Sequence, residues 1–321
     1  MKKKVALITT GGTIASKRNE HQLLESGKLS GEEILEMCQL EDRLDIELTD
    51  LFQLPSMHLT YQHLNELQQT IQNTLKDPSI CGVVVTHGTD SLEETAYFLD
   101  LTINDERPVI VTGSQKSPSD IGTDVYSNLR NSFLVASDEQ AKNMGTCVVF
   151  DERILHAKYV KKTHTSSTNA FGSIGYGMLG YIDNDEVVIY QKPVHREHYH
   201  IAPEYPYVEI VYSYLGASTK LLELLYESKA DGIVLVGTGR GQITPDYTKV
   251  IEKMCASGTK VVLTTSTDEG RVFPTYDYYG SANYLKTLDV IMGGDFQPKK
   301  ARIKLMLMLA NGEENFDSFM K

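Results

Sequence analysis

The sequence predicts an α/β protein in two parts, a larger N-terminal domain with a mostly parallel sheet flanked by helices and a smaller C-terminal α/β domain. Three observations predict it: short β-branched runs recur, helix-periodic stretches separate them, and one proline-rich stretch breaks the alternation. The runs are Val5 to Thr10, Gly82 to Thr86, Pro108 to Thr112, Thr146 to Phe150, Glu209 to Tyr212, Gly232 to Val236 and Lys260 to Thr264. Near-continuous apolar runs suit strands covered on both faces, as in a parallel sheet with helical crossovers.

The intervening segments carry helical spacing. Leu92, Ala96 and Leu99 share one face, Val125, Leu129, Phe133 and Ala136 another, and Leu221, Leu222 and Leu225 a third. Ser91 with Glu94 predicts a capping box, while Thr244-Pro245-Asp246 places a cap, a first-turn proline and an acid in succession. Between Tyr190 and Val208 the chain has three prolines and no periodicity. We read residues 1–190 as the N-terminal domain, 191–208 as a linker and 209–321 as the C-terminal domain. His195, His198 and His200 with Glu197 offer several imidazoles in one reach, but they fall in this linker, away from the strand ends, and read as solvated.

A length of 321 residues is enough for one large or two ordinary domains. Formal charge is −12, from 31 Lys plus Arg against 43 Asp plus Glu, which disfavours nucleic acid or an anionic membrane as partner. The basic clusters Lys2 to Lys4 and Lys299 with Lys300 read as solvated ends. No apolar run reaches the ~18 residues that span a bilayer, and Val5 to Ile8 is too short for a secretory signal, so the expected address is the cytoplasm. Cys38, Cys81, Cys147 and Cys255 are widely spaced, which points to reduced thiols rather than a zinc site or disulfide framework.

Ligands of open parallel sheets bind beyond the carboxyl ends of the strands. Four polar, glycine-flanked turns follow predicted strands: Gly11 to Ser16, Thr86 to Ser91, Gly113-Ser114-Gln115 and Gly237 to Gln242. Two of them put a threonine, Thr13 or Thr89, directly after glycine, where backbone N–H groups can face an oxyanion. A hydroxyl needs a neighbouring base or cation to become a nucleophile, and Asp90 supplies one charged partner. Taken alone, such threonines also serve as plain helix caps.

Ile8-Thr-Thr-Gly-Gly-Thr-Ile-Ala-Ser16 and Val84-Val-Thr-His-Gly-Thr-Asp-Ser-Leu-Glu-Glu-Thr-Ala-Tyr-Phe-Leu-Asp100 resemble the two signature segments of bacterial-type L-asparaginases and asparaginase-glutaminases. Val160 to Thr165, Gly177 to Ile182 and Gln297 to Arg302 resemble later blocks of that family in the same order. The resemblance implies that Thr13 attacks the side-chain carboxamide of a small amino acid, with Thr89, Asp90 and Lys162 as a second polar cluster. It implies a substrate site of Ser56 on the α-carboxylate, Asp90 on the α-ammonium, Met57 and Thr89 beside them, Ser114 at the scissile amide and Gln242 from a neighbouring subunit. It further implies no cofactor or metal, and a homodimer or homotetramer with shared active sites.

The pattern also departs from the family. Many members carry a tyrosine on the loop after the first motif, yet Lys17 to Gly27 has none; His21, Glu25 or a tyrosine from elsewhere could replace it. Met57 stands where a polar residue is usual, Asp124-Val125 where Asp-Gly is, and Gly241-Gln242 where Gly-Asn is. The acid contributed by the neighbour is Asp277 or Glu269. Two other readings compete: a nucleotide binder using Gly237-Thr-Gly-Arg-Gly241, which lacks G-x-G-x-x-G spacing, and a family member that binds amino acids without turnover.

Overall fold

The computed structural model describes residues 2–21, 23–25, 32–33, 38, 40 and 43–320. They divide into two compact units, one ending at His198 and the other beginning at Tyr199.

In the first unit, β1 (Lys3–Gly11) leads to a minor hairpin of β2 (Lys17–Arg18) and β3 (Leu24–Glu25). Then come β4 (Leu44–Leu54), α1 (Tyr61–Thr74), β5 (Ile80–Thr86), α2 (Leu92–Thr102), β6 (Val109–Thr112), α3 (Val125–Ser137) and β7 (Thr146–Phe150). The chain continues through β8 (Arg153–His156), β9 (Lys161–Lys162), β10 (Phe171–Gly172), β11 (Gly180–Asp183) and β12 (Glu186–Ile189). The main sheet has eight strands in the order β12-β11-β8-β7-β6-β5-β1-β4. From β4 to β7 the pairing is parallel, and β8, β11 and β12 complete it antiparallel.

Strand residues explain the layers. Val5, Leu7, Val84, Ile110 and Val149 face α3, whose Val125, Leu129, Phe133 and Ala136 pack onto them in one cluster. The alternate residues Ile8, Val83, Val85 and Val111 are equally buried, on the face that α2 covers. Both predicted helical stripes, the one on α2 included, are buried to within 1 %.

In the second unit, β13 (Val208–Tyr212), α4 (Lys220–Glu227), β14 (Gly232–Gly237), α5 (Pro245–Ala256), β15 (Lys260–Thr265), α6 (Ala282–Lys286) and β16 (Ile291–Met292) alternate regularly. The strands form a parallel sheet in sequential order. Its Ile233, Leu235, Val261 and Leu263 pack with Leu222 and Leu225 of α4 and Ile251 of α5. Helix α7 (Pro298–Ala310) lies against β13, β14 and β15, and a 3-10 turn (Asp317–Met320) closes the described chain. The helix α5 begins as its sequence predicts, with the Thr244 side chain accepting from Tyr247 N–H and Pro245 in the first turn.

Four local expectations are corrected. Ser91 makes no capping bond to α2; its hydroxyl donates instead to the Ser56 carbonyl at 2.8 Å, a tie that a local cap would forfeit. Leu221 is half exposed, so the buried stripe of α4 is Leu222 and Leu225 alone. At the N-terminus, Lys4 is paired with Glu47 at 2.6 Å and Asp77 at 3.0 Å. Lys300 is buried on α7, and one turn on, Lys304 is buried too.

Lys304 shows how a buried ammonium is tolerated. It donates to the Ser318 carbonyl at 2.9 Å and lies 4.9 Å from the ring centres of both Phe296 and Phe319. Cation–π attraction and a charge-assisted bond offset the cost of desolvation. Lys304→Ala removes both and leaves a void between two phenyl rings, so we expect a loss of about 2–4 kcal/mol in urea unfolding. Lys299→Ala, on the exposed side of the same helix, is expected to stay within about 0.5 kcal/mol.

Candidate active site

The parallel strands β1, β4, β5 and β6 end at one edge of the sheet, so the turns after them collect there. The contacts between these turns are unusually close. A Cβ placed on Gly12, which has φ +85°, would fall 2.5 Å from the backbone of Gly88, and one on Gly88 would fall 2.8 Å from the Cβ and Oγ of Ser56. Only glycine, which has no Cβ, lets these turns approach so closely. Thr13, the residue after Gly12, and Thr89, the residue after Gly88, are thereby brought to neighbouring turns. Gly113 backs against the carbonyl of His87, which sets Ser114 beside the same group.

Each turn is held from inside. The backbone from Thr13 to Ala15 forms a 3-10 turn closed by Ser16 N–H on the Thr13 carbonyl and by the Ser16 hydroxyl on the Gly12 carbonyl. The hydroxyl of Thr13 has no partner among the described residues. Asp124 accepts from the N–H groups of Gln115 and Lys116, each at 2.9 Å, and from the Asn128 amide, so one buried carboxylate fixes the turn at Ser114. Ser114 turns its own hydroxyl onto the Lys116 carbonyl.

Lys162 reaches the cluster from β9. Its ammonium donates to Thr89 Oγ1 and to Asp90 Oδ1, both at 2.8 Å, and its side chain is only 18 % exposed. A cation beside a hydroxyl lowers the cost of withdrawing the hydroxyl proton, and Asp90 holds that cation in place. Thr89 and Ser56 are buried, whereas Met57 is 67 % exposed beside Ser56.

The structure thus joins Thr89, Asp90 and Lys162 by direct bonds and sets Ser56 and the turns of Thr13 and Ser114 against them. Gln242 lies in the second unit, in a tight turn where its backbone pairs with Thr238 and its side-chain oxygen accepts from Ala282 N–H. On the loop after the first motif, His21 and Glu25 are exposed and Glu25 bonds to Asn19, while Gln22, Ser26 and Gly27 lie outside the described residues. In the second unit, Asp277 and Glu269 are exposed. The support residues Asp124 and His87 carried no assigned role at the sequence level. An acid directly before a helix, nine residues after a strand-end turn, is the signal that would have found Asp124.

His87 is the pivot of the second turn. It is fully buried, and burial pushes its pKa down to about 4 against a smaller upward pull from the Gly88 carbonyl. The ring is therefore neutral near pH 7. Since a carbonyl can only accept, Nδ1–H donates to Gly88 O at 2.7 Å, leaving Nε2 to accept from the Thr95 hydroxyl at 2.9 Å.

Comparison with known proteins identifies relatives of the chain. Residues 4–195 match the family model "Asparaginase, N-terminal" and residues 207–318 match "Glutaminase/Asparaginase C-terminal domain". The chain is 50 % identical over 314 residues to an L-asparaginase of Bacillus licheniformis, covering 98 % of each chain. It is 31 % identical over 320 residues to L-asparaginase 2 of Escherichia coli K12, covering 97 % of this chain and 90 % of the relative. Among solved structures, a probable cytoplasmic L-asparaginase from Campylobacter jejuni superposes with a TM-score of 0.88 at 30 % identity, over 99 % of this chain and 98 % of that one. No helix among the described residues is long and apolar enough to cross a membrane.

The buried imidazole makes stability depend on pH. Its folded pKa of about 4 lies below the ordinary 6.5, so the unfolded chain binds more protons between these values. Its contribution is complete above pH 6.5 and is lost as pH falls towards 4. We expect His87→Gln to flatten the stability profile across that window by up to about 3 kcal/mol, read from urea midpoints at a series of pH values.

Proposed function

This chain belongs to the asparaginase family, and on that premise we propose that it hydrolyses the side-chain amide of L-asparagine to L-aspartate and ammonia, through an acyl-enzyme on Thr13. The observation that carries this reading is the Lys162 ammonium held 2.8 Å from both Thr89 Oγ1 and Asp90 Oδ1, at the edge where the turn of Thr13 arrives.

In this reading the Thr13 oxygen bonds to the carboxamide carbon, the C–N bond breaks, and the nitrogen leaves as ammonia after taking up a proton. Water then attacks the ester and regenerates the hydroxyl. The Thr89, Lys162 and Asp90 group holds and returns the proton, with Lys162 stabilising the oxyanion form of the threonine it touches. The Ser56 hydroxyl donates to the substrate α-carboxylate, and Asp90 accepts from the α-ammonium, which is the complementarity a zwitterion requires. Met57 lines the mouth, and the turn of Ser114 lies along the carboxamide.

Asparagine is favoured over glutamine, a difference of one methylene worth about 1–3 kcal/mol in a fitted pocket. Gln242 and one acid, Asp277 or Glu269, complete the site from a second copy in a homodimer or homotetramer. Exposed Tyr212, Tyr214, Leu215, Leu221 and Leu224 on the second unit supply apolar surface that a second copy can cover. The cytoplasm is the proposed location, in keeping with the likeness to the Campylobacter protein.

The test is ammonia release from purified protein with L-asparagine and, in parallel, L-glutamine. We expect a kcat/KM ratio of roughly 10 or more in favour of asparagine. Thr13→Ala and Thr89→Val should each lower turnover by more than about 10³-fold with little loss of stability, while Cys38→Ser keeps full activity. Undiminished release by Thr13→Ala would remove Thr13 from the chemistry.

A further inference from the structure

Resting on that reading of the reaction, we infer that Glu93 is a positioning residue: its carboxylate grips the backbone of Lys162 so that the ammonium arrives between Thr89 and Asp90. The need for such a grip follows from where Lys162 sits. Strand β9 is two residues long and, among the described residues, pairs only with the equally short β10, through Phe171 and Gly172, outside the eight-stranded sheet. A ribbon of this length fixes little by itself. Lysine adds a flexible four-carbon stem, so its head is located only if its own backbone is.

Glu93 supplies the missing constraint. Its Oε2 accepts the Lys162 backbone N–H at 2.9 Å, and the residue is only 6 % exposed. It lies in the first turn of α2, three residues after Asp90 and four after Thr89. One short stretch of chain therefore holds Lys162 twice, at its backbone through Glu93 and at its ammonium through Thr89 and Asp90. The spacing between the two grips is set by the first turn of a helix whose Leu92, Ala96, Phe98 and Leu99 are fully buried, not by a loop. A buried carboxylate is costly without partners, but the first turn of a helix favours negative charge and the accepted N–H is a charge-assisted bond.

Glutamine at this position keeps an acceptor oxygen of the same reach, whereas alanine keeps none. Steady-state kinetics of Glu93→Ala and Glu93→Gln, taken well below each variant's Tm, separate positioning from mere support of the fold. The expected result is a kcat lowered about 30-fold or more by Glu93→Ala, with KM within about 3-fold, and recovery by Glu93→Gln to within about 5-fold of the parent. A kcat within 2-fold of the parent in Glu93→Ala, or equal damage by both substitutions, would overturn the inference.

A second measurement is independent of turnover. Acetylation by an N-hydroxysuccinimide ester, followed by mass spectrometry, should modify Lys162 slowly in the parent and about 10-fold faster in Glu93→Ala, with exposed Lys249 unchanged as the internal reference. Unaltered reactivity of Lys162 would also overturn it. If the parent releases no ammonia from asparagine, the functional reading fails by itself, and the acetylation rates still decide whether Glu93 places Lys162.

Discussion

The whole arrangement depends on two glycines that let three strand-end turns meet. Gly12 lies against Gly88, and Gly88 lies against Ser56, at distances that a single methyl group would violate. This contact converts three strand ends, far apart in sequence, into one surface. Around it the fold spends ordinary means: parallel strands buried on both faces, α2 and α3 to cover them, and polar groups inside each turn to satisfy the backbone that glycine leaves bare.

Charge is then placed on that surface with few groups. A neutral, buried His87 organises the second turn without adding charge of its own, while Asp124, a carboxylate held by N–H donors, organises the third turn. The exposed partner in the cluster is Asp90 and the shielded one is Lys162, so the cation is the member that the protein, rather than the solvent, must hold. That asymmetry explains why the supporting contacts concentrate on the lysine.

Much of this was legible in the residues because burial on both faces writes plain apolar runs. The seven predicted strands all form, and the stripes on α2 and α3 are buried as spaced. Strand β4 escaped because Leu44 to Leu54 carries Asp45, Glu47 and Asp50 and has few β-branched residues, as an edge strand can. Helix α7 misled in the opposite sense: Lys299 with Lys300 read as a solvated end, yet Lys300 is inside, as is Lys304 one turn on, where two phenyl rings and a carbonyl accommodate the latter. At the site, the glycine and threonine turns announced themselves, and Lys162 came from resemblance to a family block. Glu93, His87 and Ser91 did not, since their roles are contacts across 69, 8 and 35 positions that local spacing does not encode.

The edge position of β4 bears on how copies of this protein behave towards one another. Among the described residues it pairs only with β1, so its eleven residues form the rim of the described sheet. Such a rim invites an identical rim to zip onto it, the first step towards fibrillar deposits. Here Asp45, Glu47 and Asp50 stand exposed along that rim, Glu47 paired with Lys4 and Asp50 accepting from the Thr9 hydroxyl, and an identical rim would bring like acids face to face, which opposes such pairing. The acids that hid this strand from view thus also work against clumping, most strongly in dilute salt.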